Sequence, residues 1–196
     1  DHLQAGSVRY KPDDGDSEPH AGPDDPPYPV FGLPRIIGRA EDIQWMLDAV
    51  PNKHNGLTFC AGSFSAGEHN DCVAMAKQFA DRTHFVHLRS CYIFPNGNFT
   101  EASHLGGRGH LIELCRIFEK AEQEGKCNSG RRLPMRVDHG MTFTDEPGGV
   151  FDESNHGHNA GYTLLGRMFA MGQIQGVIAT VDDELGIEYK QPGFYD

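Results

Sequence analysis

The chain has 196 residues, enough for one sizeable core, and a formal net charge of -11, with 28 Asp and Glu against 17 Lys and Arg. That balance argues against nucleic acid as a partner, because phosphate binding needs a basic face. No apolar run approaches eighteen residues and no charged-then-apolar leader opens the chain, so neither membrane span nor signal peptide is expected.

Residues 1–30 read as loop, since Asp, Gly, Pro and Ser dominate and Pro26-Pro27 forbids regular structure. From about residue 40 the pattern turns helical. Ile43, Met46, Leu47 and Val50 fall at i, i+3, i+4 and i+7, one face of a helix. Leu57-Thr58-Phe59-Cys60, between Gly56 and Gly62, reads as a buried strand. Residues 70–80 fit a second helix, with Val73, Met75, Ala76 and Phe79 apolar. His84-Phe85-Val86-His87-Leu88 is a strand rich in aromatic and branched residues. A long polar loop from Ser90 to Gly109 follows, then an amphipathic helix with Leu111, Leu114, Cys115 and Phe118 on one face. A turn at Asn128–Arg132 leads into the strand Leu133–His139 and another long loop, Gly140 to Asn159. The last helix starts near Gly161 and runs to Ala170 or on to Thr180, with Met168 and Met171 read as core.

Strand and helix alternate, which is the βαβ signature of a parallel sheet. No GxGxxG follows a strand, so a dinucleotide fold is not indicated. Each strand ends in polar reactive residues: Cys60, then His87-Leu88-Arg89, then Asp138-His139. A (β/α)8 barrel places its chemistry at such strand ends. The expected fold class is therefore α/β, with parallel βα units of a TIM barrel. The three strands are fewer than the eight that close one. The expected organisation is an irregular segment over 1–22, the barrel domain over 23–185, and a tail over 186–196.

Thiolate, imidazole and carboxylate all ligate divalent transition metals, so Cys60, His87 and Asp138 form a candidate donor set. Singly, each has a plain alternative: a core thiol, a hydrogen-bonded strand histidine, a turn aspartate. Their common place at strand ends is what favours a metal. His84 and His87, three apart, face opposite sides of a regular strand. His139 is a candidate general acid or base, provided the strand has ended by then. Arg89 and Arg136 could each pair with a substrate carboxylate or sit in a surface ion pair. Gly106-Gly107-Arg108-Gly109 lacks the Lys-Ser/Thr ending of a phosphate loop. Five cysteines without a CxxC pair point to reduced thiols and a cytoplasmic setting.

Six segments in order resemble the mannonate dehydratase family. They are Pro23-Asp-Asp-Pro-Pro27 with Phe31-Gly-Leu-Pro-Arg35, Gly56-Leu-Thr-Phe-Cys-Ala-Gly-Ser63, His84-Phe-Val-His-Leu-Arg89, Glu101-Ala-Ser-His-Leu105, Pro134-Met-Arg-Val-Asp-His-Gly140 and Gly161-Tyr-Thr-Leu-Leu-Gly-Arg167. The resemblance implies the C-terminal half of a metal-dependent barrel lyase that dehydrates D-mannonate to 2-keto-3-deoxy-D-gluconate. It implies Mn2+ as cofactor, with Fe2+ as an alternative, and a homo-oligomer as the assembly. It further implies Cys60, His87 and Asp138 as metal ligands, His139 and Tyr162 as catalytic acid and base, and Arg136 as a substrate-orienting residue. The family carries a fourth metal-binding histidine directly before its PDDPP motif. Here that position is Gly22, and His20 lies two residues earlier. The competing expectations are a non-catalytic remnant of the family and a sugar isomerase or epimerase on a similar barrel.

Overall fold

The computed structural model describes residues 20–130, 132–143 and 161–188. The elements are β1 (His20–Ala21), α1 (Ala40–Ala49), β2 (Gly56–Cys60), α2 (Ala61–Ser65), α3 (Cys72–Phe79), β3 (Thr83–Leu88), β4 (Cys91–Ile93), β5 (Phe99–Glu101), α4 (Leu111–Gln123), β6 (Met135–Val137) and α5 (Leu164–Leu185). Strands β1-β2-β3-β6 pair in that order, all parallel. β2 is buried at every position, as a near-continuous apolar parallel strand should be. The core joins Leu57, Phe59, Val86 and Leu88 of the sheet to residues of α1, α3, α4 and α5. Phe59 meets Phe64 in a tilted contact at 5.2 Å and Phe118 edge-on at 5.3 Å. These are parallel βα units of a TIM barrel. The four parallel strands among the described residues are half of the eight that close one.

Several boundaries differ from the sequence reading. His20–Ala21, within the segment expected to be irregular, pairs with Gly56 and Leu57 as a short edge strand. Residues 1–19, 144–160 and 189–196, holding most of the expected N-terminal segment, second long loop and tail, lie outside the described residues. Val50 ends α1 as its C-cap and is exposed, so only Ile43 and Leu47 are fully buried from that stripe. The expected 90–109 loop contains the antiparallel hairpin β4–β5. Its turn carries Asn96-Gly97, with Gly97 at φ 83°, a dipeptide that signals hairpins. Strands of three residues are too short to show alternation. The five-residue α2 is likewise too short for a helical period.

α5 is longer than expected and corrects two expectations. At 22 residues and mean hydropathy 1.2 it is long and apolar enough to span a bilayer, although no such segment was expected. It packs instead on α4 and β6, with Ala170, Ile174 and Val181 in the common core. Met168 and Met171, expected in the core, are 59% and 46% exposed. They share an exposed apolar surface with Leu164, Leu165 and Phe169. α5 is apolar nearly all round, so no periodicity marks its buried side.

A pH effect arises where α4 meets α5. Burial, with the charge of Asp182 nearby, pushes the Glu119 carboxyl up to about 7. The folded chain then keeps a proton that the unfolded chain releases near pH 4.5. This contribution to stability is present below that pH and is lost as pH rises toward about 7. Glu119→Gln is expected to stabilise the fold by on the order of 1 kcal/mol at about pH 8 and to flatten the pH 5–7 slope. Urea denaturation across that range checks it; an unchanged slope would show that Glu119 is not responsible.

Candidate metal centre

Ladder register brings the donor residues together. Cys60, the last residue of β2, stands opposite His87, and His87 stands opposite Arg136. Paired residues of parallel strands share a face, and Asp138, two residues beyond Arg136, returns to it. The Asp138 N–H bonds Leu88 O at 3.1 Å, carrying the ladder one step past β6. Cys60 Sγ and His87 Nδ1 each lie 3.9 Å from Asp138 Oδ2, and one donor atom from each residue falls within 4.8 Å of the others. A tetrahedral ion with bonds of about 2.0–2.3 Å needs its donors roughly 3.4–3.8 Å apart. The three therefore fit a divalent transition metal after sub-ångström adjustment. The alternation expected of His84 and His87 does not hold, because the register shifts at His84, between the pairs Leu57–Thr83 and Thr58–Phe85, and the buried His84 ring lies against Gly56.

The two Asp138 oxygens face different groups. Oδ1 accepts from Arg136 Nη2 at 2.8 Å and from the Tyr162 hydroxyl at 2.6 Å. Oδ2 faces Cys60 and His87. Burial opposes the Asp138 charge, yet the Tyr162 bond and the neighbouring His139, His87 and Arg136 hold the carboxyl below its usual range. Burial, with the Asp138 charge, pushes the Cys60 thiol up to about 11, while Ser63 Oγ donates to its sulfur at 3.1 Å. Tyr162 is pushed up to about 12 by burial and by its bond to Asp138.

Tyr162 arrives through close backbone packing. Gly161, at φ 91°, accepts from Gly140 N at 2.8 Å and donates to Thr142 Oγ1 at 3.0 Å. A Cβ on Gly166 would stand 2.0 Å from Met141 O, so only glycine lets α5 start there. The strand has ended at Val137, so His139 does not swing away from the site. Its ring packs on Tyr162 at 4.4 Å, and its Nδ1 lies 3.2 Å from Glu101 Oε1. The structure thus brings together all six residues singled out as ligands or catalysts.

Arg89 departs from both of its expected roles. It is 3% exposed, its Nε and Nη2 grip Glu101, and its Nη1 bonds Asp25 at 2.6 Å. Glu101 and Asp25 had no role in the sequence reading, although both lie in motifs that carried the resemblance. Burial works against the Glu101 charge, but bonds from His139 and Arg89 keep its carboxyl below the usual range. The Gly106–Gly109 turn is no phosphate cradle, because its amides bond Ser103 O, Cys91 O and Ser90 Oγ. His20 pairs with Gly56, about 13 Å back along β2 from Cys60 at the usual strand rise.

The chain resembles known proteins over most of its length. The family model described as D-mannonate dehydratase (UxuA) matches residues 20–187. Mannonate dehydratase 2 of Agrobacterium fabrum is 40% identical over 165 residues, covering 83% of this chain and 40% of the relative. Mannonate dehydratase of Saccharophagus degradans is 40% identical over 162 residues, covering 82% of this chain and 39% of the relative. The chain thus spans about 40% of the length of the curated relatives it matches. The crystal structure of mannonate dehydratase from Streptococcus suis serotype 2 superposes with a TM-score of 0.71 at 24% identity, covering 89% of this chain and 47% of that one. This likeness bears on the fold alone. By the family-model match and the identity of its relatives, the chain belongs to the mannonate dehydratase family.

Proposed function

We propose that this chain is the metal-binding part of a hydro-lyase that converts D-mannonate to 2-keto-3-deoxy-D-gluconate in hexuronate catabolism. The observation that carries the proposal is the convergence of Cys60, His87 and Asp138, with Tyr162 bonded to the same aspartate. Cys60, His87 and Asp138 would hold a divalent ion, Mn2+ or Fe2+. When bound, such an ion supplies Lewis acidity toward carboxylate and hydroxyl oxygens. The reaction removes the C2 proton. Its electron pair forms the C2–C3 double bond, and the C3–O bond breaks as that hydroxyl leaves as water. The enol then becomes the keto acid. His139 and Tyr162, packed ring against ring, carry the two proton transfers, one taking the C2 proton and the other protonating the leaving hydroxyl. Arg136, on the same sheet face, orients the substrate carboxylate.

The barrel domain is assigned to residues 23–185, and β1, just before it, pairs on the edge of its sheet. β1 and β6 end the sheet among the described residues, and Trp45, Leu164 and Met168 are exposed, which supports a homo-oligomer. Five free, buried thiols support a cytoplasmic setting.

The test is incubation of the purified chain with Mn2+ and D-mannonate, followed by assay for a 2-keto acid, with metal content and solution mass measured on the same sample. A keto acid, bound metal and a mass above one chain are expected. Neither metal nor turnover would favour a non-catalytic remnant. An isomeric sugar acid without keto acid would favour an isomerase or epimerase.

A further inference from the structure

We infer that Glu101 is the positioning residue for His139, holding the proton of the neutral imidazole on Nδ1 so that Nε2 is the nitrogen able to accept one. The inference rests on the reading of His139 as a proton carrier.

Glu101 ends β5, and its pairing with Cys91 folds the hairpin back over the end of β3. Ala102 N bonds Ser90 O at 2.8 Å, and the buried His104 Nε2 bonds Leu88 O at 2.8 Å. These contacts fix the segment that follows Glu101 to the end of β3 and the residues just after it. The carboxylate is held by Arg89, with Nε at 3.1 and 3.0 Å from its two oxygens and Nη2 at 2.7 Å from Oε1. A guanidinium can only donate, so Glu101 is kept as an acceptor. The atom 3.2 Å from Oε1 is His139 Nδ1, and in that contact it must be the donor. A carboxylate on one ring nitrogen sets the tautomer at the other. The Tyr162 ring at 4.4 Å closes off rotation from another side.

Neutralising Arg89 is not the whole of Glu101's role. Asp25 already gives that guanidinium an opposite charge at 2.6 Å. The row Asp25, Arg89, Glu101, His139 therefore runs from the segment after β1, through β3 and the hairpin, to the residue after Asp138. It gives the β4–β5 hairpin a purpose: it delivers a fixed carboxylate to the far side of the imidazole.

The experiment is two-bond 15N–1H correlation spectroscopy of the full chain labelled with 15N-histidine, at about pH 8.5, where imidazoles are neutral. The His139 signals are assigned by their loss in His139→Gln. The wild-type ring is expected as the Nδ1–H tautomer. Glu101→Ala is expected to shift it toward the Nε2–H form that a free imidazole prefers in water. Glu101→Gln is expected to keep Nδ1–H, because its amide oxygen still accepts. The His104 ring serves as fold reporter in each variant. An Nε2–H ring in the wild type overturns the inference, and so does an Nδ1–H ring that persists in folded Glu101→Ala. If Glu101→Ala does not fold, the wild-type and Glu101→Gln spectra decide the matter.

This readout needs no turnover. An inactive chain would count against the proposed reaction and leave the tautomer result standing. Where keto acid is formed, Glu101→Ala should lower kcat about 10- to 100-fold with KM little changed. An unchanged kcat would overturn the positioning role while leaving the reaction intact.

Discussion

Asp138→Asn is expected to abolish tight divalent-metal binding while leaving the chain folded. Oδ1 of Asp138 accepts from Arg136 and Tyr162, both of which can only donate in those bonds. The asparagine amide oxygen must take that place. Its NH2 then faces Cys60 Sγ and His87 Nδ1, where Oδ2 stood. A donor group replaces the oxygen aimed at the metal, and a negative charge is lost with it. The expected weakening is about 100-fold or more in Kd, roughly 2.7 kcal/mol. Titration calorimetry with Mn2+, paired with metal analysis of the purified variant, measures it. Circular dichroism separates loss of metal from loss of fold. Binding equal to wild type would remove Asp138 from the ligand set.

The second large effect is a gain. Ala21 pairs with Leu57, which sets Gly22 beside Thr58, on the face that also carries Cys60. A Cβ at Gly22 would meet only Thr58 Cβ, at 3.9 Å, an ordinary contact. A histidine there begins one strand repeat, about 6.6 Å, below the level of Cys60, within reach of an imidazole. Gly22→His is expected to add a fourth donor and tighten Mn2+ binding by about 10-fold or more, at least 1.4 kcal/mol. Gly22→Ala is the control, since replacing glycine stabilises through the unfolded chain alone. If Gly22→His binds no more tightly than Gly22→Ala, the strand does not deliver residue 22 to the metal. His20→Ala should change nothing, because register places it well away from Cys60.

Much of the fold was legible locally. β2 is a near-continuous apolar run, β3 is rich in aromatic and branched residues, and α3 and α4 carry helical periods that survive in the buried positions Met75, Phe79, Leu114 and Phe118. The α5 reading failed where the signal itself is missing. A helix apolar on all sides cannot indicate which side is buried, so Met168 and Met171 were misplaced. Arg89 failed for another reason. Its partner Glu101 returns through a hairpin whose strands are too short to alternate, so nothing local shows that the guanidinium is already occupied. Asn96-Gly97 was the one readable sign of that hairpin.

The sequence by itself determined which chemistry is available. Cys60, His87 and Asp138 sit at the ends of strands because residue type and periodicity place them there, and both are properties of neighbouring positions. Only the tertiary structure decided that these residues meet. Strand register set Cys60 against His87 and His87 against Arg136, and the close approach of Gly166 to Met141 brought Tyr162 onto Asp138. Register and helix contact depend on pairs far apart in the chain, whose energies come from packing. No local pattern encodes them, and so the candidate metal centre could be named from the sequence but assembled only in the fold.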